Sequence, residues 1–489
     1  MIQKIREIPV TETSYPFASA ERYLHLSEIG YEEKEYYMYG TANVYSTLPG
    51  GKYTVKNTDV PYVNRFIVRQ PQKTEDFSGN VVIEILNATS GMDIDRMWIN
   101  GYRQFIRSGD IYIGITSKHN TPLKLKEFDP QRYAEISWPN PTPDVPFEFT
   151  MEEYLASGVA LGDLDLNCEP GLFWDMLIDL AKTLRTDSDT NPVAAYHPEY
   201  LVLTGWSQSG DYMIRFINDF TGEETQDAPL FDGYLLGGPP RTFVTPLNQY
   251  ETVSTVPTIE NTCIRKTSAP TIIFHTESEN SGLGGTRVNR KCGNAPDFQV
   301  RQYDITGSSH DTQFSYVDYY QNDPDLIRIN HLPAYNCKNS ESNDYPLYHL
   351  FAAGYRNLFS WIRTGCAPAE CELIPVNADG ENEKDALGIT KGGLRTCLLN
   401  YPTGAYYNYS DIELGGNPLF PDLDKEILFG HEEAYPAEML KAMYGSLAHY
   451  RELVEKDTFE QVTKGFIVRE DAQDLIEMAV RKARQRGLE

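Results

Sequence analysis

One serine in this chain stands where a hydroxyl could be made nucleophilic. Ser207 lies in the run Thr204-Gly205-Trp206-Ser207-Gln208-Ser209-Gly210. Upstream, Leu201 to Thr204 is a short apolar, β-branched stretch of the kind that forms a buried strand. Downstream, Met213, Phe216, Ile217 and Phe220 fall at i, i+3, i+4 and i+7, one face of a helix. Gly205 and Ser209 are small enough to flank a sharp strand-to-helix bend. Such a bend lifts the serine clear of the sheet and turns the amide of the next residue, Gln208, toward a developing oxyanion. A pentapeptide this loose turns up in about one random chain of this length in two, so the flanking strand and helix carry the inference. The fifth position is Ser209 where glycine is usual.

A serine hydroxyl needs a base to accept its proton and a carboxylate to orient that base. After an elbow of this kind the acid comes first and the histidine second, on loops following later strands. Six histidines lie downstream: His275, His310, His331, His349, His431 and His449. His275 sits at the end of a strand-like run, and His349 and His449 sit in helical patterns, where a structural histidine is the plainer reading. His310 follows the last strand in the flexible run Ile305-Thr306-Gly307-Ser308-Ser309-His310-Asp311, which suits a base carried on a loop.

For the acid, the loop after Thr271–Phe274 offers Glu277 and Glu279, while Leu236-Gly237-Gly238-Pro239-Pro240 offers no carboxylate. Glu277 sits on the first turn past the strand, where the sheet fixes it. Glu279 lies further into a glycine-rich stretch, where ordering costs about 1–2 kcal/mol per fixed residue. The expectation is therefore Glu277. The second oxyanion donor is expected in Asn87-Ala88-Thr89-Ser90-Gly91, directly after Val81–Leu86, with Asn87 as the candidate.

The elements that must hold these groups alternate. Residues 34 to 70 carry short strand-like runs split by Pro49-Gly50-Gly51, an antiparallel edge. From Asn80 onward strands and helices alternate, which predicts parallel βαβ units: Val81–Leu86, a helix over Trp98–Ile106 stopped by Gly109, Ile111–Ile115, a helix over Leu172–Leu184, the elbow strand, Tyr234–Leu236, Thr271–Phe274 and Phe298–Tyr303. Two irregular stretches, about 120–170 and 239–268, read as cap or lid insertions. A helical block follows the sheet, with Leu347, Phe351, Leu358 and Trp361 on one face. The last helix is expected behind an Asp471 cap, within a helical extension over about 435–489. With no repeats and no linker, residues 1–489 read as one domain of α/β class: a mostly parallel central sheet flanked by helices, with antiparallel strands at the amino end.

Charge and cysteines narrow the partners. The formal net charge is −27, from 70 acids against 43 bases, which argues against nucleic acid and anionic membranes. No apolar run has transmembrane length, and the amino terminus shows no signal-peptide pattern. The seven cysteines are scattered without CxxC pairs, so free thiols in a reducing cytoplasm are expected rather than a metal or disulfide framework, although Cys366 and Cys371 stand close enough in sequence to bridge. Asp163-Leu164-Asp165-Leu166-Asn167 imitates the start of a calcium loop, but Cys168 and Trp174 stand where glycine and glutamate are needed. No metal and no cofactor are expected.

Taken with Val63–Pro71, Leu86-Asn87, Phe128–Tyr133, Gly205–Gly210, Thr276-Glu277, Gly307–His310 and Lys391–Arg395, the chain resembles the large bacterial family of α/β-hydrolase domain-containing proteins, nearly from end to end. The resemblance implies the α/β-hydrolase fold and a serine hydrolase, with Ser207 as nucleophile, Glu277 as acid and His310 as base. This chain has Thr276-Glu277-Ser278-Glu279 where the family often has a Thr-Glu-Thr-Asp run. The expected reaction is cleavage of a small-molecule carboxylic ester through an acyl-enzyme, with backbone amides near Gln208 and Asn87 holding the oxyanion. The same triad would also serve an acyltransferase or thioesterase, and the same fold a non-catalytic binding protein.

Overall fold

The computed structural model describes residues 1–48, 52–118, 120–147, 150, 167–221, 229–240, 244–251, 262–282, 292–319, 323–329, 337–339, 341–377, 381–412 and 424–489. His331, the calcium-loop decoy apart from Asn167, and the central parts of both expected cap insertions lie outside these residues.

Among the described residues ten strands form one sheet: β1 (Ile2–Glu7), β2 (Tyr31–Thr47), β3 (Tyr53–Pro71), β4 (Asn80–Ile85), β5 (Ile111–Ile115), β6 (Tyr200–Trp206), β7 (Gly233–Gly237), β8 (Thr267–Thr276), β9 (Gly293–Ala295) and β10 (Phe298–Ile305). Their order across the sheet is β1-β2-β3-β5-β4-β6-β7-β8-β10-β9. Pairing is antiparallel from β1 through β3 to β5, parallel from β5 to β10, and antiparallel again between β10 and β9. The antiparallel edge is longer than the sequence suggests. β2 and β3 pair antiparallel along nearly their whole length, because Tyr, Thr and Val recur along both strands.

The middle strands are buried along their whole length, as the run Val81-Val82-Ile83 and the run Leu201-Val202-Leu203 require. Helices pack in pairs around them. Helix Arg96–Ser108 packs on helix Leu347–Thr364, where Phe105 meets Tyr355 edge-on with ring centres 4.6 Å apart. Helix Phe173–Leu184 packs on the elbow helix Gln208–Phe220 through Trp174 stacked on Tyr212 at 5.3 Å and on Phe220 at 5.5 Å. One hydrophobic cluster runs from Ile8 to Leu488 and takes in the carboxy-terminal helices Leu447–Lys464 and Ala472–Gln485. Asp471 does precede the last helix, but its side chain does not cap it; it takes an ion pair from Arg107 at 2.6 Å instead. All seven cysteines are free, and Cys366 is exposed. No helix among the described residues is long and apolar enough to cross a membrane.

Candidate active site

β6 ends at Trp206 and the elbow helix begins at Gln208, so Ser207 alone makes the turn. Its backbone takes φ 57° and ψ −122°, a conformation that a residue with a Cβ adopts only under constraint. The constraint is visible on both sides. The Ser207 N–H donates to Gly237 O of β7 at 2.8 Å, and Ser207 O accepts the Asp211 N–H at 3.2 Å, which starts the helix. A Cβ on Gly205 would lie 3.0 Å from the Cβ of Ser209, and one on Gly210 would lie 3.0 Å from the Cβ of Pro239. A methyl at either position would force its neighbour to give by a few tenths of an ångström.

Ser209 has a task that glycine could not perform. Its hydroxyl donates to Leu86 O at 3.2 Å and accepts from Lys118 Nζ at 3.0 Å. The same ammonium also reaches Ser117 Oγ at 2.8 Å and Leu86 O at 3.3 Å, and it lies 4.4 Å from the ring centre of Tyr212. Lys118 therefore ties the ends of β4 and β5 to the elbow. Burial pulls its pKa down to about 7, against the opposing pull of Asp93 and Glu84.

The loop after β4 is pinned tightly. Asn87 and Ile94 exchange backbone hydrogen bonds at 2.9 Å in each direction, and Asn87 Nδ2 donates to Trp206 O at 2.9 Å. Asp93 pairs with Arg65 at 3.1 Å, and Asp95 pairs with Arg69. Asn87 is thus placed beside the elbow, but its backbone N–H is already committed to Ile94 and cannot serve an oxyanion. The next amide along, at the buried Ala88, has no hydrogen-bond partner among the described residues. Gln208 is the first residue of the elbow helix, where N–H groups lack intrahelical acceptors.

His310 follows β10 on the loop Thr306–Asp311, as expected, and comes back over the ends of β6 and β7. A Cβ on Gly238 would lie 3.2 Å from the imidazole, and the Trp206 ring centre is 5.1 Å from that of His310. Trp206 Nε1–H donates to His310 Nε2 at 3.1 Å, so the ring proton sits on Nδ1.

Nδ1 faces Glu279 Oε1 at 2.5 Å. The expectation of Glu277 as the partner of His310 is corrected here. Past Thr276 the chain winds into a wide turn over Ser278–Gly282. That turn brings the buried Glu279 carboxylate back over the strand end, where Oε2 accepts the Thr276 N–H at 2.6 Å and the Thr276 hydroxyl at 2.8 Å. Burial pushes this carboxyl up, but His310, His275 and the Thr276 amide together hold it below the ordinary carboxylate value. Glu277 points elsewhere. Its Oε1 accepts the Gly307 N–H at 2.6 Å, its Oε2 accepts the Thr390 hydroxyl at 2.8 Å, and its own N–H donates to Ser308 O at 3.0 Å. It grips the backbone of the histidine loop and does not touch the imidazole. Burial raises its pKa.

The other downstream histidines among the described residues go to structural places. His275 is buried in β8 with Nδ1 3.7 Å from Asp304; His349 lies between Asp471 and Asp474; His431 stacks on Tyr407; and His449 is an exposed helix residue 3.4 Å from Glu452. Lys118, Trp206 and Ala88 are the residues that sequence reasoning missed. Among the described residues no cluster of His, Cys, Asp or Glu is placed to hold a metal ion.

A sheet of this order, with a strained serine between β6, the sixth strand across it, and the helix that follows, and with a histidine–carboxylate pair on later loops, defines an α/β hydrolase. The sequence pattern of the family described as "Alpha/beta hydrolase domain" matches residues 5–477, and the chain belongs to that family. Among solved structures it is similar to an esterase from Rhizomucor miehei, with 11% identity over 66% of this chain and 90% of that one and a TM-score of 0.33. It is likewise similar to esterase 2 of Thermogutta terrifontis, with 12% identity over 60% and 96% and a TM-score of 0.29. A carboxylesterase from Lactobacillus plantarum has 11% identity over 44% and 67% and a TM-score of 0.26. No curated protein sequence matches.

Proposed function

We propose that the protein is a serine esterase that cleaves a small-molecule carboxylic ester through an acyl-enzyme, with Ser207 as nucleophile, His310 as base and Glu279 as the orienting acid. The observation that carries this reading is the pairing of a strained Ser207 with a His310–Glu279 couple of fixed tautomer beside the same turn. Ser207 Oγ attacks the acyl carbon while His310 Nε2 takes its proton. The carbonyl oxygen becomes an oxyanion facing the amides of Gln208 and Ala88. Collapse breaks the ester C–O bond, and His310 returns the proton to the leaving alcohol. Water then repeats the sequence on the acyl-enzyme. Glu279 is ionised and buried against Nδ1–H, so it favours the tautomer that keeps Nε2 ready.

A panel of p-nitrophenyl esters from acetate to palmitate, with Ser207→Ala as the blank, tests the reading. Turnover that vanishes in the blank supports it. Turnover equal in both proteins, or no turnover together with no labelling of Ser207 by a fluorophosphonate, overturns it.

A further inference from the structure

The imidazole of His310 has one lone pair to offer, at Nε2, and in this structure it is taken by a residue other than the serine. Trp206 Nε1–H donates to it at 3.1 Å. The Ser207 hydroxyl makes no hydrogen bond among the described residues. Trp206 is held firmly in this pose. It is buried, its ring packs against Phe351 at 5.7 Å, the Arg96 guanidinium lies 5.4 Å from its ring centre, and its carbonyl is fixed by Asn87 Nδ2 at 2.9 Å.

On the reading that Ser207 is the nucleophile and His310 its base, we propose that Trp206 is a positioning residue that holds Nε2 occupied in the resting site, and that its indole N–H gives way to the Ser207 hydroxyl when acylation begins. A neutral nitrogen of this kind accepts one good hydrogen bond at a time, so the two donors compete. The other groups facing the imidazole do not take part in that exchange. Glu279 sits on Nδ1, His275 acts on Glu279 from β8, and Asp311, the neighbour of His310 in sequence, is paired with Arg96. The arrangement keeps the hydroxyl from being activated before an acyl group fills the site, and it places the cost of release on the acylation step.

Removing the indole N–H while keeping an aromatic ring should raise the rate of acylation. Trp206→Phe is expected to increase the fluorophosphonate labelling rate of Ser207 roughly two- to tenfold, the range that loss of one neutral hydrogen bond allows, with KM for a p-nitrophenyl ester unchanged. A labelling rate that stays the same or falls in a folded Trp206→Phe protein overturns the proposal.

A second measurement needs no folded variant and no activity. With indole nitrogens labelled by 15N, one of the five tryptophan N–H signals should lie downfield in the resting protein and move back when acid protonates the imidazole, whereas that of Trp174, which donates to Leu247 O at 3.2 Å, should stay in place. Five signals that all ignore pH would contradict the contact. The absence of any labelling or turnover in the wild type would instead count against the esterase reading, so the two failures are distinguishable.

Discussion

His310 Nδ1 and Glu279 Oε1 lie 2.5 Å apart, while Glu277, two residues before Glu279, holds the Gly307 amide at the base of the same histidine loop. The two carboxylates divide the work of one site. One orients the imidazole, and the other fixes the loop that carries it. Glu279→Gln is therefore expected to cut kcat by a factor of about 10²–10⁴. Glu277→Gln is expected to keep most of the turnover, because Gln retains an acceptor for Gly307 or Thr390. Steady-state kinetics on the two purified variants check this, and a reversal of the two phenotypes would contradict the assignment.

Glu277 carries a second expectation, about stability. Its folded pKa is raised by burial, so the stabilisation it gives is fully present below the ordinary carboxylate value and is lost as pH rises through the folded one. Urea midpoints of the wild type should fall across that interval relative to those of Glu277→Gln, which cannot titrate. Parallel pH dependences in the two proteins would show that Glu277 is not buried as described.

Lys118 titrates with the opposite sign. Its folded pKa of about 7 lies below the model-compound value of 10.5. Between these values the unfolded chain binds the extra proton, so stability rises with pH, and the penalty for burying the charge is fully present only below about 7. Lys118→Met should lack that rise. It should also turn over more slowly, because the elbow loses its tie through Ser209 to Leu86. Denaturation curves at neutral and alkaline pH, read beside kcat, test both effects.

The elbow tolerates little added volume. Gly205→Ala would put a methyl 3.0 Å from Ser209 Cβ, and overpacking of this kind costs about 1–3 kcal/mol. A lower Tm together with reduced labelling of Ser207 is expected. Ser209→Gly should be milder for the fold, since it adds no volume and removes one hydroxyl, but it should lower activity by loosening Lys118. Differential scanning calorimetry and fluorophosphonate labelling measure the pair.

Much of this arrangement can be read in the chain itself, because local pattern decides it. The apolar run Leu201–Leu203 is buried on both faces, and Met213, Phe216 and Ile217 turn one helix face inward, so the position of Ser207 follows from periodicity. His310 follows from its place after the last parallel strand. The acid does not. Glu277 and Glu279 are equally acidic and nearly adjacent, and the choice rests on a wide turn over Ser278–Gly282 whose closure depends on Thr276 capping the Glu279 carboxylate. The glycine-rich composition favours a mobile segment, whereas three hydrogen bonds to one buried carboxylate order its start. The backbone amide of Asn87 is committed elsewhere for a similar reason. Its type and position fit, but the pairing with Ile94 that consumes its N–H is a contact across a loop. Lys118 is invisible in sequence because nothing in Thr116-Ser117-Lys118 announces a buried cation; only the meeting of β4, β5 and the elbow creates its site.

The measurement that bears most directly on the central claim is covalent labelling of the wild type and of Ser207→Ala with a fluorophosphonate, located by mass spectrometry of the peptide spanning β6 and the elbow helix. The wild type should carry a single adduct on Ser207 and Ser207→Ala none, and that variant should lose about 10⁶-fold in ester turnover while its circular dichroism is unchanged. An adduct on another residue, or a well-folded Ser207→Ala protein that keeps more than a few percent of wild-type turnover, would contradict that claim.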